Sequence, residues 1–237
     1  MPRFFEKVTS DNVIITGENA DHIKKSLRME TGERITLCDN STDYECEITD
    51  IADEVHCKVI SKGDNKTEPT VDITLFQCVP KGDKLESVIQ KSIELGVGKI
   101  VPVLSSRCVS RPDRKSAEKK RVRYQKIAES ACKQSGRGKI IEVGEMITFA
   151  QAVSQIPDFD KTLFFYEGGG ESLNGCVDEN TKTVAVFIGS EGGFEIEEVE
   201  KAKNAGAGIY TLGPRILRTE TAPLAALTAI MLYSNNM

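Results

Sequence analysis

Length, composition and charge restrict the classes of protein to which this chain can belong. Its 237 residues can bury a sizeable core, as one large domain or as a small and a medium domain. The hydrophobic fraction is 39%, and the sequence has neither a long apolar run nor a secretory signal at its start. We therefore expect a soluble, cytoplasmic protein that does not bind a membrane.

The chain has few candidate ligands for a metal ion. Its seven cysteines are scattered without a C-x-x-C spacing, and only His22 and His56 could supply imidazole. We therefore expect no metal, no disulfides and a reducing compartment.

Charge is distributed unevenly along the chain. The whole chain carries 31 Lys and Arg against 36 Asp and Glu, a net charge of −5. Residues 107–126 alone contain nine basic and two acidic side chains, which leaves −12 for the rest. Such a segment is either a solvated helix face or a surface that follows the phosphates of a nucleic acid.

Residues 1–68 are predicted to form a small β-barrel. One helical segment, 19–29, interrupts a series of short β-branched runs at 12–16, 34–39, 44–51 and 54–60. The polar segment 61–70 lacks periodicity and contains Gly and Pro, which is typical of a linker.

Residues 72–237 are predicted to form an α/β domain, because strands and helices alternate there. Apolar strands are predicted at 71–79, 99–104, 139–143, 162–167, 183–189 and 209–213. The predicted helices include one capped by Asp83, a basic one at 113–134, and two more at 149–156 and 195–206. Continuously apolar strands are typical of a parallel sheet that is covered on both faces.

Three of these strands lead into unusual sequences: YEGGG at 166–170, IGSEGGF at 188–194 and LGPRILRTE at 212–220. Ligands of open α/β sheets bind beyond the carboxyl ends of the strands, and glycines there permit close approach of the backbone. One Gly pair would indicate only a tight turn, but three such strand ends favour a ligand site. The sequence has no P-loop, no G-x-G-x-x-G after a strand and no G-x-S-x-G, so the site is of a less common type.

Several segments of the two domains can be compared with known families. In the second domain these are KSIELGVGKIVPVLSSRC, KQSGR, VFIGSEGGF and above all LGPRILRTETA; in the first they are MPRFF and HIKKSLRMETGERITL. Together they resemble the RsmE family of ribosomal RNA uridine N3-methyltransferases. The resemblance covers nearly the whole chain. One departure is Ser190, which stands where the family's glycine loop usually has proline.

The resemblance implies a fold, a cofactor and partners. The family belongs to the SPOUT superfamily, whose carboxyl-terminal chain forms a trefoil knot that binds S-adenosylmethionine, and its amino-terminal domain resembles a PUA-type RNA-binding barrel. The implied substrate is a specific uridine in the 16S ribosomal RNA of the small subunit, and the implied assembly is a homodimer. Non-enzymatic RNA binding and methylation of transfer RNA are the alternatives.

The resemblance also assigns site residues. Those implied to bind the cofactor are Tyr166, Glu167, Ile188, Gly189, Gly192, Gly193, Leu212, Gly213, Ile216, Leu217 and Thr219. The first 70 residues carry nine basic and fifteen acidic side chains, so the barrel is not expected to bind RNA by itself. We expect RNA contacts from the basic helical region and from Arg3, Arg28, Arg107, Arg111, Arg114, Gln134 and Arg137.

The chemistry assigns roles to three charged residues. Uracil N3 becomes a good nucleophile only when it loses its proton, and the resulting charge spreads over two oxygens. The forked guanidinium of Arg218 suits that charge, and Glu191 or Glu220 could accept the proton. Alternatively, Arg218 and Glu220 pair across the turn while Thr219 or Thr221 caps the last helix. That helix, 222–233, is almost wholly apolar, so we expect it to be buried all round, in the core or in a subunit interface.

Overall fold

A computed structural model describes residues 1–39 and 41–237, and the chain divides into two compact units. The first unit consists of residues 1–68 and 132–140, and the second of residues 69–131 and 141–237. From the sequence, residues 132–140 were predicted to belong to the second domain, whereas in the structure they belong to the first unit. Within the first unit, the Asn65 amide donates to the Gly136 carbonyl at 3.2 Å, and the Cys38 thiol lies 3.2 Å from the Gly138 carbonyl.

The first unit contains one five-stranded sheet in the order β1-β3-β4-β5-β2. The strands are β1 (Arg3–Phe5), β2 (Asn12–Ile15), β3 (Arg34–Asp39), β4 (Thr42–Ile51) and β5 (Val55–Asp64). Strands β1 and β3 are parallel and the other pairs are antiparallel. Helix α1 (Gly17–Asp21) continues into a π-helical turn (His22–Leu27) where one helix was predicted. Closure of the sheet into a barrel stays a prediction.

Apolar side chains on one face of this sheet form the core of the first unit. Phe4, Ile35, Leu37 and Ile48 are fully buried there with Ile23 from the π-helical turn. Strand β1 was not predicted, because its three residues are too few to show alternation.

Two ion pairs hold the segments of the first unit together. The Arg137 guanidinium donates two hydrogen bonds of 2.8 Å to the two carboxylate oxygens of Glu68, and only 2% of Arg137 is exposed. Arg3 forms a similar forked pair with Asp43, with distances of 2.7 and 2.6 Å. Each pair joins residues far apart in sequence, so it fixes tertiary rather than local structure.

The second unit is an α/β fold with a parallel sheet, as predicted. Its strands are β6 (Asp72–Cys78), β7 (Lys99–Leu104), β8 (Glu142–Val143), β9 (Ile147–Thr148), β10 (Lys161–Phe165), β11 (Thr183–Ile188) and β12 (Gly208–Tyr210). Its helices are α2 (Lys84–Glu94), α3 (Arg114–Ser135), α4 (Phe149–Val153), α5 (Ile196–Asn204) and α6 (Ala222–Tyr233), with a 3-10 turn at Ile156–Asp158. Of α3, residues 114–131 belong to this unit and the last turn belongs to the first. The strand order is β12-β10-β11-β6-β7-β8, and β9 also pairs with β7.

Most differences from the predicted elements lie at their ends, whereas β9 was not predicted at all. Of the strand predicted at 139–143, only Glu142–Val143 pairs with β7. Helix α4 ends at Val153, earlier than predicted. Asp83 is the residue before α2, but its side chain makes no capping hydrogen bond.

A cluster of aromatic rings lies at the centre of this sheet. Phe76 on β6 stacks on Phe187 on β11 with ring centroids 4.5 Å apart, and Phe164 on β10 is 5.6 Å from Phe187. Phe194, which follows β11, lies 4.3 Å from Phe164. Since a buried aromatic cluster of this density resists displacement, it fixes the register of the three strands.

Within the chain, helix α6 is buried on one face only, which argues against a place wholly in the core and leaves burial in a subunit interface as a prediction. Pro223, Ala226, Leu227, Ile230 and Met231 are buried, whereas Leu232 is 54% exposed and Tyr233 is 41% exposed. Nowhere in residues 1–39 and 41–237 is a helix both long and apolar enough to cross a bilayer.

The Arg137–Glu68 pair predicts a pH-dependent contribution to stability. Burial alone would raise the pKa of the Glu68 carboxyl, but its bonds to Arg137 and to the Gly138 N–H outweigh burial and lower this pKa. We expect Glu68→Gln to reduce the free energy of unfolding at pH 7 by about 2–4 kcal/mol, because it leaves a buried guanidinium without its carboxylate. Urea unfolding measures the change.

The pH dependence has a definite sign. A carboxyl with a lowered pKa stabilises the fold above its unfolded value of about 4.3 and loses that effect as the pH falls through its folded value. The difference between wild type and Glu68→Gln therefore shrinks below about pH 4. Glu54→Gln, at an exposed position in the turn between β4 and β5, is the control. Equal stability of Glu68→Gln and wild type at pH 7 would contradict the role of the pair.

Candidate functional site

Three loops surround a cavity of about 920 Å³ in the second unit. We call them L1 (166–171, after β10), L2 (189–195, after β11) and L3 (211–221, between β12 and α6). Because β10 pairs in parallel with both β11 and β12, the three loops leave the same edge of the sheet. The lining residues are Phe165, Tyr166, Glu167, Gly168, Gly169, Ile188, Gly189, Ser190, Glu191, Gly192, Gly193, the run 211–219 and Ala222.

Loop L1 lies flat against β12. The Tyr166 N–H donates to the Tyr210 carbonyl at 3.1 Å, and the Glu171 N–H donates to the Ile209 carbonyl at 2.9 Å. A Cβ atom at Gly170 would lie 2.7 Å from the Ile209 carbonyl oxygen. Glycine is therefore required at this position for the two backbones to approach so closely.

Loop L2 is a tight turn that a neighbouring arginine braces. Gly193 has φ of +67°, its N–H donates to the Ser190 carbonyl at 3.0 Å, and an added Cβ would overlap the Glu167 carboxylate. Arg107 donates to the Gly192 carbonyl at 2.8 Å and pairs with Glu195 at 2.9 Å. These bonds make Arg107 a brace of L2, and its predicted contact with RNA stays a prediction.

Loop L3 is fixed to L2 by the side chain of Thr219. This residue is 5% exposed, and its hydroxyl donates to the Gly189 carbonyl at 2.8 Å. The prediction that Thr219 or Thr221 caps α6 is therefore wrong: Thr221 is the residue at the cap but makes no side-chain capping bond. Instead, the Arg218 carbonyl accepts from the N–H groups of Thr221 at 2.8 Å and Ala222 at 2.9 Å.

The side chain of Arg218 lines the cavity without a protein partner. Among the described residues, its guanidinium makes no hydrogen bond or ion pair, and the residue is exposed. The alternative in which Arg218 pairs with Glu220 across the turn does not occur. A fixed backbone with an unpaired guanidinium leaves this charge available to a ligand.

The ammonium group of Lys84 lies between two carboxylates of the site. It is 2.8 Å from an oxygen of Glu191 in L2 and 3.6 Å from Oε2 of Glu220 in L3. Burial alone would raise the pKa of Glu191, but the bonds from Lys84 and from backbone N–H groups, including that of Lys81, lower it. Within the described part of the chain, Glu220 Oε2 is buried and accepts no hydrogen bond.

The other predicted RNA contacts are of two kinds. The guanidinium groups of Arg3 and Arg137 are occupied by the carboxylates of Asp43 and Glu68, which argues against direct contact with RNA. The other residues that were predicted to contact RNA have exposed side chains: Arg28, Arg111, Arg114 and Gln134.

The amino-terminal half of α3 presents a basic surface. Arg114, Lys115, Lys119, Arg123 and Lys126 are all exposed there. Arg111, just before the helix, donates to the Ser105 carbonyl at 2.6 Å, so it also holds its own loop in place.

The cavity brings together all eleven residues that the resemblance implied for the cofactor. It also includes Arg218 and Glu191, and Glu220 lies beside it. Three residues that shape the site were missed: Lys84, Arg107 in its bracing role, and Gln77, which contacts Thr219 from β6. A single Lys or Gln in a strand or helix gives no sequence signal for such a contact. The described residues contain no group of three or more potential ligands placed to hold a metal ion.

Comparison with known proteins connects this geometry to a family. Residues 66–231 match the model of an RNA methyltransferase domain, and residues 15–60 match the model of an RNA methyltransferase PUA domain. The chain is similar to ribosomal RNA small subunit methyltransferase E of Bacillus subtilis, with 36% identity over 97% of this chain and 96% of that protein. It is also 32% identical to the protein of that name from Buchnera aphidicola subsp. Schizaphis graminum, over 98% of this chain and 96% of the other.

A solved structure extends the similarity to the whole fold. It is ribosomal RNA small subunit methyltransferase E of Neisseria gonorrhoeae bound to S-adenosylmethionine, with a TM-score of 0.89 and 32% identity. The match covers 98% of this chain and 97% of that one. These similarities confirm the resemblance that the sequence motifs indicated.

Proposed function

Since the chain belongs to the RsmE family of ribosomal RNA small subunit methyltransferases, we propose that it methylates N3 of a specific uridine in the 16S RNA of the small ribosomal subunit. The methyl donor is S-adenosylmethionine. The observation that carries this proposal is the cavity enclosed by L1, L2 and L3, with the unpaired guanidinium of Arg218 at its wall.

The residues of the cavity fit this cofactor. A volume of about 920 Å³ suffices for a nucleoside with an amino-acid tail. Apolar side chains of Ile188, Leu212 and Leu217 offer contact to an adenine ring, and the glycines of L1 and L2 leave backbone groups accessible. When bound, S-adenosylmethionine supplies a methyl group on a sulfonium. We propose that L1, L2 and L3 form the trefoil knot of this superfamily.

Arg218 is proposed as the catalytic residue that stabilises charge. Loss of the N3 proton places negative charge on uracil O2 and O4, and a forked guanidinium can donate to such acceptors. Its backbone is already held by α6 and by Thr219, so little reorganisation is needed when that charge develops.

Glu220 is the better supported candidate for the proton acceptor. The Glu191 carboxylate already accepts from Lys84 and the Lys81 N–H, and its lowered pKa makes it a weak base. Oxygen Oε2 of Glu220 retains acceptor capacity with respect to the described residues. We propose that Lys84 keeps the Glu191 carboxylate ionised and holds it away from proton transfer.

The proposed RNA contacts lie on both units. The exposed basic side chains of α3 are proposed to contact phosphates, and the first unit is proposed to bind RNA as PUA-type domains do. The half-exposed face of α6 is proposed to form the interface of a homodimer, because apolar Leu232 and Tyr233 would otherwise face water. A cytoplasmic location, with the assembled small subunit as substrate, completes the proposal.

The role of Arg218 predicts a loss of rate rather than of binding. We expect Arg218→Ala to lower single-turnover methylation of small-subunit RNA by about 10²-fold or more, because a preorganised donor is lost. Affinity for S-adenosylhomocysteine should change far less. Arg218→Lys should rescue poorly, since an ammonium cannot hold two acceptors in a fork.

Lys203→Ala is the control, because it removes an exposed cation of α5 that does not line the cavity. Near-normal rates in Arg218→Ala would contradict its catalytic role. Equal losses of rate and cofactor affinity would make Arg218 a support of the loop.

The basic surface of α3 predicts that RNA binding depends strongly on salt. We expect the double substitution Arg114→Gln and Lys119→Gln to weaken RNA binding and to lower the slope of log affinity against log salt by about 2, one for each lost phosphate contact. Filter binding between low and moderate salt measures this slope.

Lys201→Gln with Lys203→Gln, exposed on α5, removes the same charge elsewhere and is the control. An unchanged slope in the α3 variant would assign α3 to a solvated helix face.

A further inference from the structure

Gln77 places a polar side chain in the apolar interior behind the cavity. It is the penultimate residue of β6, and it is fully buried. Its amide nitrogen lies 3.1 Å from the Thr219 hydroxyl, 3.1 Å from the Cys78 carbonyl and 3.4 Å from the Gly189 carbonyl. Three segments that are distant in sequence therefore meet at one amide group.

The direction of these hydrogen bonds is determined by Thr219. A hydroxyl has one hydrogen, and that of Thr219 is directed to the Gly189 carbonyl at 2.8 Å. Thr219 therefore accepts from Gln77 through a lone pair, and the amide nitrogen of Gln77 must face L3. The result is a chain of bonds from β6 through L3 to L2.

Burial of an amide at this position has a cost that an apolar residue would avoid. The neighbours of Gln77 in the sheet are Ile188 and Pro102, and a methionine of similar length would be buried there without loss of hydration. The bonds of the amide nitrogen to L2 and L3 offset the cost of burying that nitrogen, whereas the buried amide oxygen accepts no hydrogen bond among the described residues. The contacts of the nitrogen with the two loops are therefore what distinguishes glutamine from an apolar residue here.

These bonds lie next to the residue on which the proposed chemistry depends. Arg218 precedes Thr219, and its carbonyl is bonded to the first turn of α6. Its backbone is thus held on one side by α6 and on the other by Thr219, whereas its guanidinium has no partner among the described residues. The position of the guanidinium depends on these two anchors.

We propose that Gln77 is a positioning residue: through Thr219 it holds L3 against L2 and so fixes Arg218 for methyl transfer. This inference rests on the proposed function for its effect on rate. The effect on L3 itself follows from the contacts alone.

The first test is independent of activity. In hydrogen–deuterium exchange, Gln77→Met should accelerate exchange of the L3 amides at least several-fold relative to wild type, while amides of β10 and β11 stay protected. Thr219→Val should do the same, and Thr219→Ser, which keeps the hydroxyl, should restore protection. Gln90→Met, at an exposed glutamine on α2, is the matched control. Unchanged exchange of L3 in Gln77→Met would overturn the inference.

The second test is a double-mutant cycle in single-turnover methylation. Gln77→Met should lower the rate by about tenfold or more in the wild-type background, because misplacement of a catalytic group by a fraction of an ångström has effects of this order. In the Arg218→Ala background the same substitution should have less than about a twofold effect, since the positioned group is already gone. Equal losses in both backgrounds would show that Gln77 does not act through Arg218. Binding of S-adenosylhomocysteine, measured in parallel, should weaken much less than the rate.

The outcomes separate this inference from the proposed function. If the wild-type protein methylates no small-subunit RNA, the proposed function fails, and exchange of L3 still decides whether Gln77 positions that loop. If Gln77→Met does not fold, Gln77→Leu, which also replaces the amide by an apolar side chain but leaves the bond between Thr219 and Gly189, decides the same question through exchange of the L3 amides.

Discussion

Parallel pairing of β10 with both β11 and β12 is the constraint from which the site follows. Phe164 lies opposite Phe187 on one side and Ile209 on the other, so the three strands reach the same edge of the sheet together. The buried aromatic rings of Phe164, Phe187 and Phe194 hold this register. Because L1, L2 and L3 begin where these strands end, their mutual positions are determined before any loop contact forms.

A few side chains then fix the conformations of the three loops. Arg107 braces L2, Gly170 lets L1 lie against β12, and Thr219 bonds L3 to L2. Lys84 and Arg107 beside the site have carboxylate partners. The guanidinium of Arg218 has none among the described residues, and its backbone is held next to Thr219, which favours a catalytic over a purely structural role.

The strands of the second unit could be predicted because short, continuous runs of β-branched and apolar residues are typical of buried strands. Strand β7 was predicted with its observed ends, and the buried face of α2 follows from the spacing of Leu85, Val88, Ile89 and Ile93. The three ligand loops could also be recognised, since glycines with charged residues after apolar strands are uncommon. The prediction that all three loops enclose one cavity depended on the family resemblance as well.

The gaps in the sequence-based prediction have a common physical origin: a sequence shows that a side chain is charged but not which partner it has. Arg3, Arg107 and Arg137 were predicted to contact RNA, which stays a prediction, and the fold gives each a carboxylate partner that the sequence did not reveal. Thr219 was an ordinary capping residue by its position, but tertiary contact with Gly189 uses its hydroxyl. The role of Gln77 could not be predicted, because one glutamine in an apolar strand carries no periodic signal. In each case the missing information was a contact between distant segments.

The function of this protein depends on whether L1, L2 and L3 bind S-adenosylmethionine. Equilibrium dialysis of the purified protein against radiolabelled S-adenosylmethionine decides this, because it measures occupancy without any assumption about the RNA. We expect saturable binding at one site per chain, displaced by unlabelled S-adenosylhomocysteine. Absence of saturable binding by a folded protein would contradict this expectation.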